Sequence, residues 1–164
     1  MSFFETLKQT ELGREFLTFL ISMVPVLELR GSIPIGVSMG LDPWKSMIIS
    51  DLGNMVPVPF IIMFIRKIFE WMKMKSKKLS DWVEKTEVRA QNKWEKVHSY
   101  ELLGLAILVA IPLPGTGAWT GALIAALMDL RLKHAFPAIF LGVIVAGFIV
   151  LGVTTGFTTA FSGN

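Results

Sequence analysis

Cysteine is absent from the 164 residues. That excludes a disulfide framework and any thiolate metal site. Histidine is nearly absent. His98 and His134 sit in polar junctions far apart in sequence, so there is no imidazole cluster and no partner for a nucleophilic serine. Charge is scarce too, at 18% Asp, Glu, Lys and Arg, where soluble domains carry about 25%. Neither a phosphate-binding loop nor a dinucleotide fingerprint occurs. No catalytic residue, cofactor or metal is therefore expected, and the chain does not read as an enzyme.

What is present is long apolar sequence. Leu102 to Met128 and Ala135 to Asn164 carry no charge, and the mean hydropathy is +0.58. A bilayer core of about 30 Å needs roughly 20 apolar residues of helix, so the composition is that of an integral membrane protein. The net charge of +3 is unevenly spread, with ten of the 16 Lys and Arg between Arg66 and Lys96. Such a cluster is first a membrane-orientation signal, and nucleic acid is not an expected partner.

Two apolar runs are broken in the middle. Phe16 to Leu27 and Gly31 to Leu41 flank Glu28-Leu29-Arg30, and Pro34 follows. Pro112-Leu-Pro-Gly-Thr-Gly117 divides Leu102–Met128 into arms of about ten residues, roughly 15–18 Å each, or half a bilayer. Each break reads as the tip of a re-entrant helical hairpin; a single kinked spanning helix is the alternative. Asp42-Pro43 predicts a cap and first helical position. A long helix follows over about Trp44–Trp71, and another over about Phe136–Val153, with a fraying tail over Thr154–Asn164.

The order of broken segment, polar turn and long helix occurs twice, at an offset of 89 residues. Pro25 then meets Pro114, Met39 meets Met128 and Gly53 meets Gly142. Paired Gly/Pro-interrupted segments point to internal repeats of the transporter type. The expected architecture is all-α and a single membrane domain over 1–164. It comprises an interfacial helix (1–15), repeat 1 (16–72), an amphipathic basic connector on the membrane surface (73–98) and repeat 2 (99–158). With two crossings, the positive-inside rule puts loop 66–97 in the cytoplasm, the termini outside, and the repeats in inverted orientation. A homodimer is expected, to shield the hairpins from lipid.

Irregular backbone at membrane depth must line protein or water, so the breaks are the candidate site. Charged intramembrane residues are functional candidates, here Glu28 and Arg30. Two helix N-termini beginning near Gly31 and Gly117, together with Arg30, suit an anion. Glu28 could carry a proton, or pair with Arg30 only to brace the tip. Ser32 adjoins them; Asp51 and Asn54 share a helix face and extend the cavity. Pro114, Gly115, Thr116, Gly117, Trp119 and Thr120 form the second tip.

Glu28-Leu-Arg-Gly-Ser-Ile-Pro34 and Pro112-Leu-Pro-Gly-Thr-Gly-Ala-Trp-Thr-Gly121 resemble the two signature stretches of the small multidrug export family, a distant relative of the DedA membrane proteins. The resemblance runs from about Leu20 to Leu151. It implies two opposed re-entrant hairpins and proton-driven traffic of lipid carriers such as undecaprenyl phosphate. DedA-type proteins place arginines in the second hairpin. Here the acid and one arginine share the first stretch, and the second tip has none. The expected function is a cytoplasmic-membrane transporter or flippase for an amphiphilic anion resembling a polyprenyl phosphate, with membrane lipids as partners. The rivals are an exporter of cationic or neutral small molecules and a non-transporting scaffold.

Overall fold

A computed structural model describes residues 9–95, 101–113 and 115–162. Regular structure among them is helical throughout: α1 (Glu11–Ser22), α2 (Glu28–Ser38), α3 (Pro43–Met55), α4 (Pro57–Lys75), α5 (Lys77–Glu95), α6 (Glu101–Ala110), α7 (Ala118–Leu127) and α8 (Leu132–Ser162). His98 and residues 1–8 of the expected interfacial helix lie outside the described residues. From Glu11 that segment is already α1, with Thr10 accepting from the Gly13 amide at 3.1 Å as N-cap. No boundary falls between 15 and 16.

The chain reverses at 23–27, earlier than Leu27–Pro34 as the sequence suggested. The Leu27 and Glu28 amides both donate to the Val24 carbonyl, at 3.2 and 2.9 Å. Pro25 stands second in that turn, where its fixed φ is already correct. Glu28, Arg30, Gly31 and Ser32 therefore lie in the first turns of α2, and Pro34 lies inside the helix. Proline withdraws one donor, whereas Gly31 N already bonds Leu27 O at 2.8 Å, so the helix winds through the stretch read as a tip. Arg14 ties the open end of the α1–α2 hairpin, its Nη1 donating to Met39 O at 2.9 Å. The twelve and eleven residues of the arms give lengths of about 18 and 16 Å.

As the sequence predicted, Asp42 caps α3, accepting from the Lys45 amide at 3.1 Å, with Pro43 at the first helical position. The long helix expected over Trp44–Trp71 is divided at Val56. Pro57 has no N–H to give Gly53 O, and Val56 N takes that carbonyl at 3.2 Å in a tightened turn. α3 is inside-out. Ser46, Ser50 and Asn54, one turn apart, are wholly buried, while Trp44, Ile48 and Leu52 on the other face are more than half exposed. A surface helix of a soluble protein has the opposite arrangement. Polar-inside, apolar-outside is what lipid imposes. Two stretches, Pro43–Lys75 and Leu132–Ala160, are long and apolar enough to cross a membrane.

The chain forms two compact units. The first comprises residues 1–56 and 143–164. In it α1, α2 and α3 pack mutually, and α8 joins through the Trp44–Phe148 ring edge at 6.1 Å and through Gly147 against Asp51. The second unit comprises 57–142. There α5 folds back along α4 and also packs on α7. Phe69 meets Trp82 edge-on at 6.2 Å, Lys73 pairs with Glu87 at 2.8 Å, and Arg66 pairs with Asp129. The basic connector is thus helical, as its spacing suggested, and it buries Val83 and Ala90 of its apolar face. α6 and α7 lie against each other across the second break, Gly121 giving way to Val109.

α8 is longer than expected, running from Leu132 to Ser162. The tail does not fray before that point. Thr154, Thr155, Thr158 and Thr159 donate their hydroxyls to carbonyls one turn earlier, which helices in apolar surroundings tolerate. Shifted by 89, the starts of α1, α2 and α3 fall on 100, 117 and 132; α6, α7 and α8 start at 101, 118 and 132.

Candidate functional site

In the first unit, α2 and α3 are joined by 39–42 and run antiparallel. Their register is fixed by Ser46, whose Oγ donates to Ile33 O at 2.9 Å, and by Gly36, where any Cβ would strike Ser46 Oγ and Thr18 Oγ1. One turn further along each helix brings Ser32 level with Ser50, and the next brings Glu28 level with Asn54. α1 adds Thr18 and Ser22, the latter against Gly53. The interior of this unit therefore holds a polar column beside apolar residues such as Leu29, Ile33 and Met47: Thr18, Ser22, Ser32, Ser46, Ser50 and Asn54 are wholly buried, and Glu28 is 3% exposed. Arg30 is half-buried.

The column divides into two parts. Thr18 and Ser22 are satisfied within α1, donating to Arg14 O at 2.8 Å and Phe19 O at 2.7 Å, and Ser46 is satisfied by Ile33 O. Ser32 Oγ, Ser50 Oγ, Asp51 Oδ1 and both amide atoms of Asn54 have no hydrogen-bond partner among the described residues. A buried polar group left so costs about 1–3 kcal/mol. Asp51, 7% exposed, faces Gly147, where a Cβ would stand 2.7 and 2.9 Å from its carboxylate oxygens. Glu28 has a φ of +47°, in the left-handed region.

At the open end of the hairpin the residues are charged, with Glu11 exposed and Glu15 and Lys45 half-buried. Lys45 reaches Glu11 at 2.6 Å and Glu15 at 2.5 Å. The hydrogen bond and charge of Lys45 hold the Glu11 carboxyl below its ordinary range. The closed end is apolar and exposed, with Val26 at 88%.

In the second unit the break runs through 111–117, with Pro114 outside the described residues. Thr116 Oγ1 lies 2.6 Å from Ile111 O and 2.8 Å from Leu113 O. Thr120 Oγ1 donates to Gly115 O at 3.1 Å, and Lys93 Nζ donates to the same carbonyl. Gly117, at φ +116°, leads into α7, and Trp119 and Thr120 are half-buried there. The two threonines thus brace the loop. Burial pushes the Lys93 ammonium below its ordinary value, and the charge of Arg89 adds to this.

The structure brings Glu28, Ser32, Asp51 and Asn54 into one unit, with Arg30 and Gly31 in the same first turns of α2. It gathers Gly115, Thr116, Gly117, Trp119 and Thr120 in the other. Sequence reasoning missed Thr18, Ser22, Ser46, Ser50 and Lys93. The signal for the first four was their i, i+4 spacing in otherwise apolar helices. Lys93 looked like one more solvated cation on the connector.

A family model described as "Putative small multi-drug export protein" matches residues 28–149, a stretch that begins at Glu28, the first residue of α2, and holds the second break. No curated protein and no solved structure matches the chain.

Proposed function

The chain belongs to the small multi-drug export family, and from that premise we propose that it is a membrane transporter or flippase for an amphiphilic anion, a lipid phosphate of the polyprenyl type. The observation that carries this reading is the polar column of the first unit, enclosed by helices whose outer faces are apolar. Such an interior suits a cargo with a charged head and an apolar body. The α1–α2 hairpin enters the bilayer by its apolar closed end and keeps Glu11, Glu15 and Lys45 at the headgroups. Its arms of about 16–18 Å reach half of a core about 30 Å thick. α6 and α7 form the second, oppositely directed hairpin. The matched element starts at an offset of 89 support an inverted repeat. The basic connector faces the cytoplasm.

Arg30, in the first turn of α2, takes the anionic head through its guanidinium. Glu28 exchanges the coupling proton. Two copies form the working unit, covering exposed apolar residues such as Val26. The test is flux in proteoliposomes of a fluorescent polyprenyl phosphate against a lipophilic cation. Wild type should move the anion, Arg30→Ala should slow it at least tenfold, and Glu28→Gln should abolish its response to a pH gradient. Anion flux unchanged in Arg30→Ala would overturn the reading. The family description favours a second one, an exporter of drug-like molecules; cation flux that survives Arg30→Ala would select it.

A further inference from the structure

We infer that the first unit holds a binding site for a small monovalent cation, Na+, built from Ser32, Ser50, Asp51 and Asn54. It goes beyond the transport reading and does not depend on it. The observation is the division within the polar column. Thr18 and Ser22 take the usual local solution for a buried hydroxyl, a carbonyl one turn back. Ser32 and Ser50 have the same kind of carbonyl within reach of their own helices and do not use it. Asn54 is wholly buried with both amide atoms unpartnered, and Asp51 Oδ1 is unpartnered beside it on the same helix. Ser50 and Asn54 stand one turn apart on α3 and Ser32 is level with Ser50 on α2, so these residues occupy two successive turns of the unit's interior.

The donor set selects the ligand. Two hydroxyls, an amide oxygen and one carboxylate are hard oxygen donors, which excludes soft metals. The set carries one formal negative charge, which matches a single positive one, and the other buried carboxylate of the column, Glu28, has the charge of Arg30 two residues on to offset it. Calcium draws on several carboxylates, and no group of three or more acidic, His or Cys residues poised for a metal occurs among the described residues. Gly147 brings α8 onto the Asp51 carboxylate, leaving no room for a Cβ. That close approach at the carboxylate favours a small ion over K+.

The experiment is equilibrium binding of 22Na+ to the full chain, purified in detergent in choline buffer at constant ionic strength. Wild type should bind saturably, with Li+ displacing the label and K+ displacing it at least tenfold less well. Ser32→Ala/Ser50→Ala should weaken binding at least tenfold, and Asp51→Asn should abolish it. The double alanine variant keeps helix propensity and carries the test if Asp51→Asn does not fold, with circular dichroism and gel filtration checking both. No saturable binding by wild type, equal displacement by K+, or wild-type affinity in the folded double variant would each overturn the inference. Lipid flux is not read in this assay. Transport without Na+ binding would sink this site alone, and Na+ binding without transport would sink only the proposed function.

Discussion

Single residues carry much of the packing in the first unit. A Cβ at position 53 would meet Phe19 O at 2.6 Å, a backbone atom that cannot swing away. Gly53→Ala should therefore destabilise the chain by about 1–3 kcal/mol, the range for overpacking, measured as reversible unfolding in mixed micelles. Gly152, by contrast, has nothing near its missing Cβ, and Gly152→Ala should leave stability unchanged or slightly raised. Glycine in an apolar helix was legible; which glycines face a neighbour was not, because that depends on helix register. The same holds for the polar residues. Asp51 and Asn54 stood out because charge and amide are rare in such runs. Ser46 and Ser50 did not, because serine is common and only their burial marks them.

Elements were legible where a local rule decides. Asp42 with Pro43 fixed the start of α3, and the Pro/Gly break at 112–117 bounded α6 and α7, whereas α8 runs past both of its expected ends. The first reversal was misplaced because Gly31 and Pro34 outweighed Pro25 on the page, whereas the backbone bonds let helix run through the former. The α5 connector depends on tertiary contact, and its Lys93 bond to Gly115 O could not be read from spacing. Lys93→Met should loosen the second break; hydrogen exchange at residues 115–120 should quicken several-fold without a change in α3. At the rim, Glu11 titrates below its ordinary range because of Lys45. Its contribution is thus full above the ordinary carboxylate pKa and is lost as pH falls through the depressed folded value. Wild type should lose rim stability in that acid window, whereas Lys45→Met should show no such step in a thermal-stability scan against pH.

For the whole molecule, the sequence made class and crossing number arguable, since charge-free runs and a basic loop constrain both. The division into two compact units was not visible, because it follows contacts of α8 residues such as Gly147 and Phe148 with a helix some hundred positions earlier. Topology is the decisive prediction at this scale. The chain lacks cysteine, so Gln9→Cys, Ser80→Cys and Thr158→Cys give three clean reporters. Impermeant maleimide on intact cells should label positions 9 and 158 and spare 80. Labelling of none of the three before lysis would favour four crossings.

Four residues with positive φ stand at matching places, Glu28 and Gly40 in the first half, Gly117 and Asp129 in the second. Where the second half uses glycine, the first spends a carboxylate in a conformation that costs an ordinary side chain about 1–3 kcal/mol. Glu28→Gly should thus yield a sturdier protein, by roughly 1 kcal/mol, and on the proposed function one whose flux no longer responds to a pH gradient. On the proposed function this strain is the cost of holding a proton carrier, and that trade-off can be measured before any cargo is identified.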